Sequence, residues 1–534
     1  MSEAAKISLK AIGMQDTHLL SKDPKDYLFN PPHKHNSQFR KYHRSHTVNN
    51  SLRNEWWPFG ETVKVEFDPK FMGDLLTNMW VKIALPEWSV SEASPVHLEN
   101  NAVVYSDWAY GPYVGRRLIK NIRMRVDGVI LQEIDTEMIV ITDNLYKSLD
   151  QKLSLNAQFN LNRTDVRPPQ RASFPRGPLA HDTRNLDPDA QTNIFIQIPF
   201  FFAQNYGGDA YYENKQNKPP FPLCSIYKQK IQFEIDFHKP SYFIYTNLTN
   251  NIILPSKTID NFQIVTEEVT LSEEERMYYK TKPIEITTEF FKKHSSRDIN
   301  VIEDKTFSID LEPTIPVKVF HWFFRPKYFE ADGNYNRLLV DYRMLFKTAH
   351  FMIHRRQINI LKNAYFTLNG ERFPRATKID SEYFKRIVPY TSKLSESGLS
   401  PTLQGSDSVG GVGQDKLTQT MMRQLAASDI FSYNFAVYPK STQPSGFLDF
   451  SQLKSDKTKL HIELTPGTLD NVITYVDGEY KSAYTSAYSY GDDPTSSAYP
   501  YIAETFTMDD LTMYLYYTGY NLLRFEDGYV SFNG

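Results

Sequence analysis

A chain of 534 residues is long enough for several packed cores, and its 60 Lys and Arg against 63 Asp and Glu leave a net charge of −3. That balance excludes a globally basic nucleic-acid binder and a chain kept unfolded by self-repulsion. The 34 Tyr, 35 Phe and 6 Trp suit pleated sheet faces and broad interfaces, while a lone cysteine, Cys224, excludes an intrachain disulfide and a multi-cysteine metal centre.

The start, Met1 to Met14, has no apolar core, and no run reaches the ~18 apolar residues of a membrane span. The sequence therefore predicts no signal peptide and a chain soluble when made, in a reducing compartment. Residues 27–54 hold Lys34, Arg40, Lys41, Arg44 and Arg53 with four histidines and no acid, which predicts a basic N-terminal arm. Period-two alternation begins at Val63-Lys-Val-Glu-Phe67 and returns in Ile122–Val126, Ile231–Ile235 and Leu460–Leu464, each reading as a strand with one face in a core. Asp127-Gly128 and Asn369-Gly370 sit where hairpin turns demand positive φ. Met138–Thr142 is the densest apolar run and is strand-sized. Ile194–Ile198, Val317–Phe324 and Met513–Tyr517 read as strands buried on both faces.

Helices are few. Ser272-Glu-Glu-Glu275 is a capping box, and Ser381–Val388 and Asp415–Ala427 are the other candidates. Residues 392–414 and 476–503 have loop composition, the second rich in Tyr and Ser. A break between alternating blocks places the domain boundary near Asp260, giving an arm over 1–54 and two β-rich domains over 55–260 and 261–534. Many strands with few helices read as antiparallel β-sandwich architecture.

No enzymatic constellation emerges. The histidines His33, His35, His43 and His46 lie among cations that repel a metal ion. Gly410-Gly-Val-Gly413 lacks the spacing of a phosphate loop, Cys224 reads as a small buried hydrophobe, and Asp509-Asp510 as a solvated strand start. The sequence thus predicts no catalytic residue, no metal and no cofactor. The aromatic residues beside the arm, Trp56-Trp57 among them, read as anchors on the first sandwich, so no specific nucleic acid is expected.

Ordered blocks then carry a family likeness. Ile430-Phe-Ser-Tyr-Asn-Phe-Ala-Val-Tyr-Pro-Lys-Ser-Thr-Gln-Pro-Ser-Gly-Phe-Leu-Asp-Phe-Ser451 resembles a signature of the double jelly-roll major capsid proteins of large double-stranded DNA viruses, with Gln443, Pro444, Ser445 and Gly446 intact. Met72-Gly-Asp-Leu-Leu76 with Met79–Pro86, Tyr113-Val-Gly115 with Leu118–Gly128, Phe200–Phe202, Phe221-Pro-Leu223 and Val269–Met277 follow the same order. Departures at Arg44–Asn49 and Phe525–Phe532, and a long insertion over 465–505, mark a divergent branch. The resemblance implies two antiparallel eight-stranded jelly rolls with a few short helices in long loops. It further implies a homotrimeric, pseudo-hexagonal capsomer of an icosahedral virion shell, assembled inside the host cell. Its implied partners are neighbouring capsomers, minor capsid and penton proteins, and an internal membrane at the capsid base. The competing class is a carbohydrate-binding or carbohydrate-cleaving sandwich, which wants paired carboxylates about 5–10 Å apart in a cleft.

Overall fold

The computed structural model describes residues 37–48, 58–84, 118–147, 193–204, 218–239, 262–300, 304–326, 361–375, 379–392, 394, 430–464 and 510–532. It adds Gly115 and short strand pieces at 89–90, 96–97, 103–104, 108–110, 244–246 and 252–253. The expected helix at 415–427, the loop at 476–503 and most of the loop at 392–414 lie outside the described residues, as do Lys34, Arg53 and Trp56-Trp57.

Among the described residues, eight principal strands make the sheets of the first half: β1 (Phe39–Thr47), β2 (Thr62–Phe67), β3 (Leu75–Ala84), β4 (Ile119–Val126), β5 (Val129–Asp135), β6 (Asn193–Gln197), β7 (Ile231–Phe237) and β8 (Phe262–Leu271). They form two antiparallel sheets, ordered β1-β8-β3-β6, where the short strand Phe221–Pro222 also pairs with β3, and β2-β7-β4-β5. The second half repeats that order. Its strands are β9 (Ile284–Asn300), β10 (Thr306–Asp310), β11 (Val317–Pro326), β12 (Leu361–Leu368), β13 (Glu371–Phe373), β14 (Phe431–Asn434), β15 (Lys459–Leu464) and β16 (Asp510–Glu526). They pair as β9-β16-β11-β14 and β10-β15-β12-β13, with a short β17 (Tyr529–Phe532) added to β16. Numbering each set of eight from its own first strand gives 1-8-3-6 and 2-7-4-5 in both halves, the strand order of a jelly roll.

Alternation builds each core. Ile122, Met124 and Val126 of β4 are buried while Arg123 and Arg125 point outward, so the sheet gains its stability from one face. Phe237 of β7 meets Phe262 of β8 across the first sandwich with centroids 5.7 Å apart, and Phe320 of β11 stacks on Phe366 of β12 across the second at 5.7 Å. Both predicted hairpins form, with φ of 46° and 84° at Asp127-Gly128 and 51° and 89° at Asn369-Gly370. Asp527-Gly528 makes a third of the same kind between β16 and β17.

Three expectations change. Met138–Thr142 is not a strand: Thr136–Ile141 is helix α1, capped by the Asp135 carboxylate, which accepts from the Met138 N–H at 2.8 Å. Glu137 to Ile141 are all buried, so the helix shows no polar stripe and its sequence mimics a buried strand. The arm is sheet from Phe39 onward, because its cations satisfy acids on β8 and leave no apolar stripe to betray the strand. Ile194–Ile198 is buried on alternate residues, with Phe195 and Gln197 half-buried, whereas β11 and the central part of β16 are buried on both faces. The division expected at 260 falls just ahead of β8, which pairs with both β1 and β3. The first sheet is therefore complete only at Leu271. Ser272 caps helix α2 (Glu273–Thr281) as predicted, its Oγ accepting from the Glu275 N–H at 3.4 Å. Ser381–Thr391 is helical too, in short turns.

Candidate functional site: an edge strand, a rigid turn and a seam

Edge strand β1 carries the basic residues. No residue of β1 is fully buried, so apolar burial does not hold it; its full register with β8 and its charges do. Lys41 Nζ lies 2.7 Å from Glu267 Oε1, with His43 3.4 Å from the same oxygen. Arg44 and His46 stand 3.9 and 3.7 Å from the Glu268 carboxylate, while Arg40 stays exposed. Both glutamates are buried, and a bulge between them in the β8–β3 register puts two successive acids into the sheet. Burial alone would raise the Glu268 carboxyl, but hydrogen bonds from His46, Thr266 Oγ1 and the Gly73 N–H outweigh it and bring it down to about 2.

The Gly-Asp motif explains itself at the same place. A Cβ on Gly73 would come within 2.9 Å of both Glu268 Cβ and the Tyr42 hydroxyl. Asp74 accepts from Arg276 Nε at 2.7 Å and Nη2 at 3.0 Å, and from the Leu271 N–H at 2.9 Å. This bidentate clasp fastens α2, the link to the second roll, to the start of β3.

The Gln-Pro-Ser-Gly turn is a stitched loop between β14 and β15. Ser445 Oγ accepts from the Tyr438 N–H at 3.0 Å and donates to its carbonyl at 3.2 Å, while the Val437 N–H donates to the Ser445 carbonyl. Gly446 has φ 134°, and a Cβ there would meet the Phe435 carbonyl oxygen at 2.8 Å. Gln443 and Pro444 are exposed at the tip. From below, the fully buried Lys318 donates to the Ser441 carbonyl at 2.6 Å, pairs with Glu289 and lies over the Tyr520 ring. Burial lowers the Lys318 amine and Glu289 opposes that shift. The Asp449 carboxylate then accepts from the Ser451 N–H, setting Phe450 into the core beside Phe320.

The two rolls meet along a polar seam. Tyr146, just past α1, bonds His321 Nε2 at 2.9 Å and Thr518 Oγ1 at 3.3 Å, and His321 Nδ1 pairs with Ser432 Oγ at 2.8 Å. Burial pushes His321 down to about 3, so the imidazole is neutral. Tyr516 donates to Asp135 at 2.8 Å and Arg325 pairs with Glu137. Burial raises Asp135 against the opposing bonds from Met138 and Tyr516. Apolar contacts flank the polar ones, with Phe201 stacked on Phe290 at 5.1 Å and Phe221 against Phe525 at 5.6 Å.

Cys224 is buried and burial raises its thiol to about 11, which fits the inert role read from sequence. Among the described residues no group of three or more His, Cys, Asp and Glu side chains is placed to hold a metal, and no helix is long and apolar enough to cross a membrane. Sequence reasoning missed Glu267, Glu268, His321, Lys318 and Tyr146. The adjacent acids in Val265-Thr-Glu-Glu-Val269 interrupt alternation, and that break was a legible sign of the bulge.

Two jelly rolls of the same strand order, joined by a buried seam, define a double jelly-roll fold. Residues 37–278 match the family described as major capsid protein N-terminus, a stretch that opens just before β1 and closes inside α2. Through that stretch, somewhat under half of its length, the chain resembles the major capsid proteins. Among solved structures, the chain is similar to the quasi-atomic model of the PBCV-1 virus capsid, at 15% identity and TM-score 0.57 over 95% of this chain and 100% of that one. It is also similar to the Faustovirus major capsid protein, at 10% identity and TM-score 0.54 over 97% of this chain and 96% of that one. At those identities the likeness speaks for the fold. No curated protein sequence matches the chain.

Proposed function

We propose that three copies of this chain associate about a threefold axis into a pseudo-hexagonal capsomer, the tile of an icosahedral double-stranded DNA virus shell. The observation that carries this reading is the repeat of one jelly-roll strand order in a single chain, since three such chains supply six similar sandwiches. Contacts within such a trimer are of the obligate kind, on the order of 2,000–5,000 Å².

In this reading the first roll runs from β1 to β8, α2 is the link, and β9 onward is the second roll. The chain ahead of β1, with Lys34 and no acid from residue 27, faces minor capsid or penton proteins or an anionic lipid layer at the capsid base. Neighbouring capsomers then meet through smaller, more polar contacts.

Light scattering coupled to size exclusion is expected to give three times the monomer mass, and electron microscopy hexagonal particles. A chain that stays monomeric under assembly conditions overturns the proposal. Removing residues 1–38 is expected to leave the trimer intact while weakening shell growth, most clearly at raised salt.

A further inference from the structure

A chain of side-chain hydrogen bonds crosses the whole first sheet, strand by strand, and ends one residue along the chain from the seam. It starts at Lys41 on β1, whose Nζ meets Glu267 Oε1 of β8 at 2.7 Å. The other oxygen, Glu267 Oε2, accepts from Asn78 Nδ2 of β3 at 3.0 Å and from Thr77 Oγ1 at 2.8 Å. Asn78 Oδ1 accepts from Gln197 Nε2 of β6 at 2.9 Å. Gln197 Oε1 accepts from Lys147 Nζ at 3.0 Å, and Lys147 pairs with Asp143 at 2.9 Å. Lys147 follows Tyr146, the residue that bonds His321 and Thr518 of the second roll.

The polarity of every link is fixed by its neighbours. Glu267 accepts, so Asn78 must present its NH₂ there and its carbonyl to the far side. That carbonyl also receives the Gln204 N–H at 3.1 Å, which only an acceptor tolerates. Gln197 is thereby forced to donate to Asn78 and to turn its own carbonyl on Lys147. Asn78 is fully buried, and Glu267, Lys147 and Asp143 are nearly so. Neither amide can reverse without placing donor against donor in a dry site. The network has one satisfied arrangement, and it runs from the exposed edge strand to Lys147, the residue that follows Tyr146 of the inter-roll joint in the chain.

We propose that this relay is a coupling device: the seating of β1 on β8 sets the arrangement of the turn at 142–147 and so locks the mutual orientation of the two rolls. With Lys41 withdrawn, Glu267 loses its closest cation, its hold on Asn78 changes, and the disturbance passes by way of Gln197 to Lys147 and the Tyr146 hydroxyl. Whatever binds or displaces β1 from outside then governs the stiffness of the double roll. The inference stands on these hydrogen bonds and the Tyr146–Lys147 chain link, and does not depend on the trimer.

Hydrogen exchange on the full chain tests it. Lys41→Met changes a surface residue and leaves the fold in place, and Gln197→Leu cuts the chain at a half-buried link without stranding a charge. Each is expected to speed exchange of peptides spanning 141–147 by about fivefold or more, the lower end of measured site-to-site coupling. The double variant is expected to exceed neither single one, since a chain already cut cannot be cut again. Lys64→Met is the control, because Lys64 pairs with Glu234 at 3.2 Å on the opposite sheet of the same roll; it is expected to leave 141–147 unchanged. Three results overturn the proposal: faster exchange confined to β1 and β8, effects that multiply in the double variant, or an equal rise with Lys64→Met, which marks general loosening.

Discussion

Replacing Gly446 by Ala tests the rigid-turn account at its tightest point. Two costs arise there. The backbone sits at φ 134°, where an L-residue is strained by about 1–3 kcal/mol. The new Cβ also meets the Phe435 carbonyl oxygen at 2.8 Å and Ala436 Cα at 3.3 Å, both backbone atoms that cannot swing aside. Gly370 separates these costs, since its φ is 89° but nothing lies within 4 Å of its would-be Cβ. Gly370→Ala is therefore expected to show strain alone, and Gly446→Ala strain plus displacement of the Phe435–Ala436 segment that abuts β11. A loss of about 2–3 kcal/mol at Gly446 corresponds to a fall of roughly 4–12 °C in Tm for a roll of this size. Differential scanning fluorimetry on the two purified variants decides the matter. Equal losses would show that the carbonyl contact is harmless, and unchanged melting in both would refute the positive-φ argument altogether.

Other outcomes follow from the site geometry. Arg276→Lys keeps the charge but loses the two-pronged hold on Asp74, so a cost of about 1–2 kcal/mol is expected, with faster limited proteolysis near α2. His321 has its folded-state pKa depressed to about 3, so its contribution is complete above the ordinary imidazole value and is lost as pH falls from about 6.5 towards 3. At pH 5 that loss is about 2 kcal/mol; His321→Gln is expected to flatten the difference in melting between pH 5 and pH 7.5, and an unchanged difference would remove His321 as its cause. Truncation through Thr47 takes away the cations facing Glu267 and Glu268, and should lower Tm, whereas truncation through residue 38 should not; circular dichroism melts distinguish the two. Cys224 is expected to resist thiol reagents until the first roll unfolds, and rapid labelling of native protein would show its burial to be wrong.

Most of the sheet architecture was legible because burial on one face writes alternation into β2, β4, β7 and β15. The hairpins were legible because Asp-Gly and Asn-Gly meet a backbone demand within two residues. What escaped sequence reasoning was set by contacts far along the chain. β1 looks like a solvated arm until Glu267 and Glu268, over 200 positions later, supply its partners. α1 looks like a strand because Glu137 to Ile141 are all buried, leaving no polar stripe at helical spacing. Lys318 and His321 sit in a run that reads as plain buried strand, and nothing local shows that Glu289, Ser441 and Tyr146 will arrive to satisfy them. The family blocks located Asp74 and Gly446 but not their tasks, which needed Arg276 and Phe435 in space.

The pairing of first strand with last has a bearing on how the chain is made. In the first roll Phe39 lies opposite Leu271, and in the second Ile284 lies opposite Phe525. On the ribosome, the opening strand of each roll must wait for the closing one to emerge before it finds its place. Until then a nascent half-roll holds unpaired strand edges and uncovered Phe and Ile side chains, the condition that favours slow folding and misassociation. A chain synthesised in bulk would meet that hazard twice per molecule, the second time beside a first roll already closed. Slowing elongation after Leu271, or supplying a holdase chaperone, is thus the route to higher soluble yield that the strand order itself recommends.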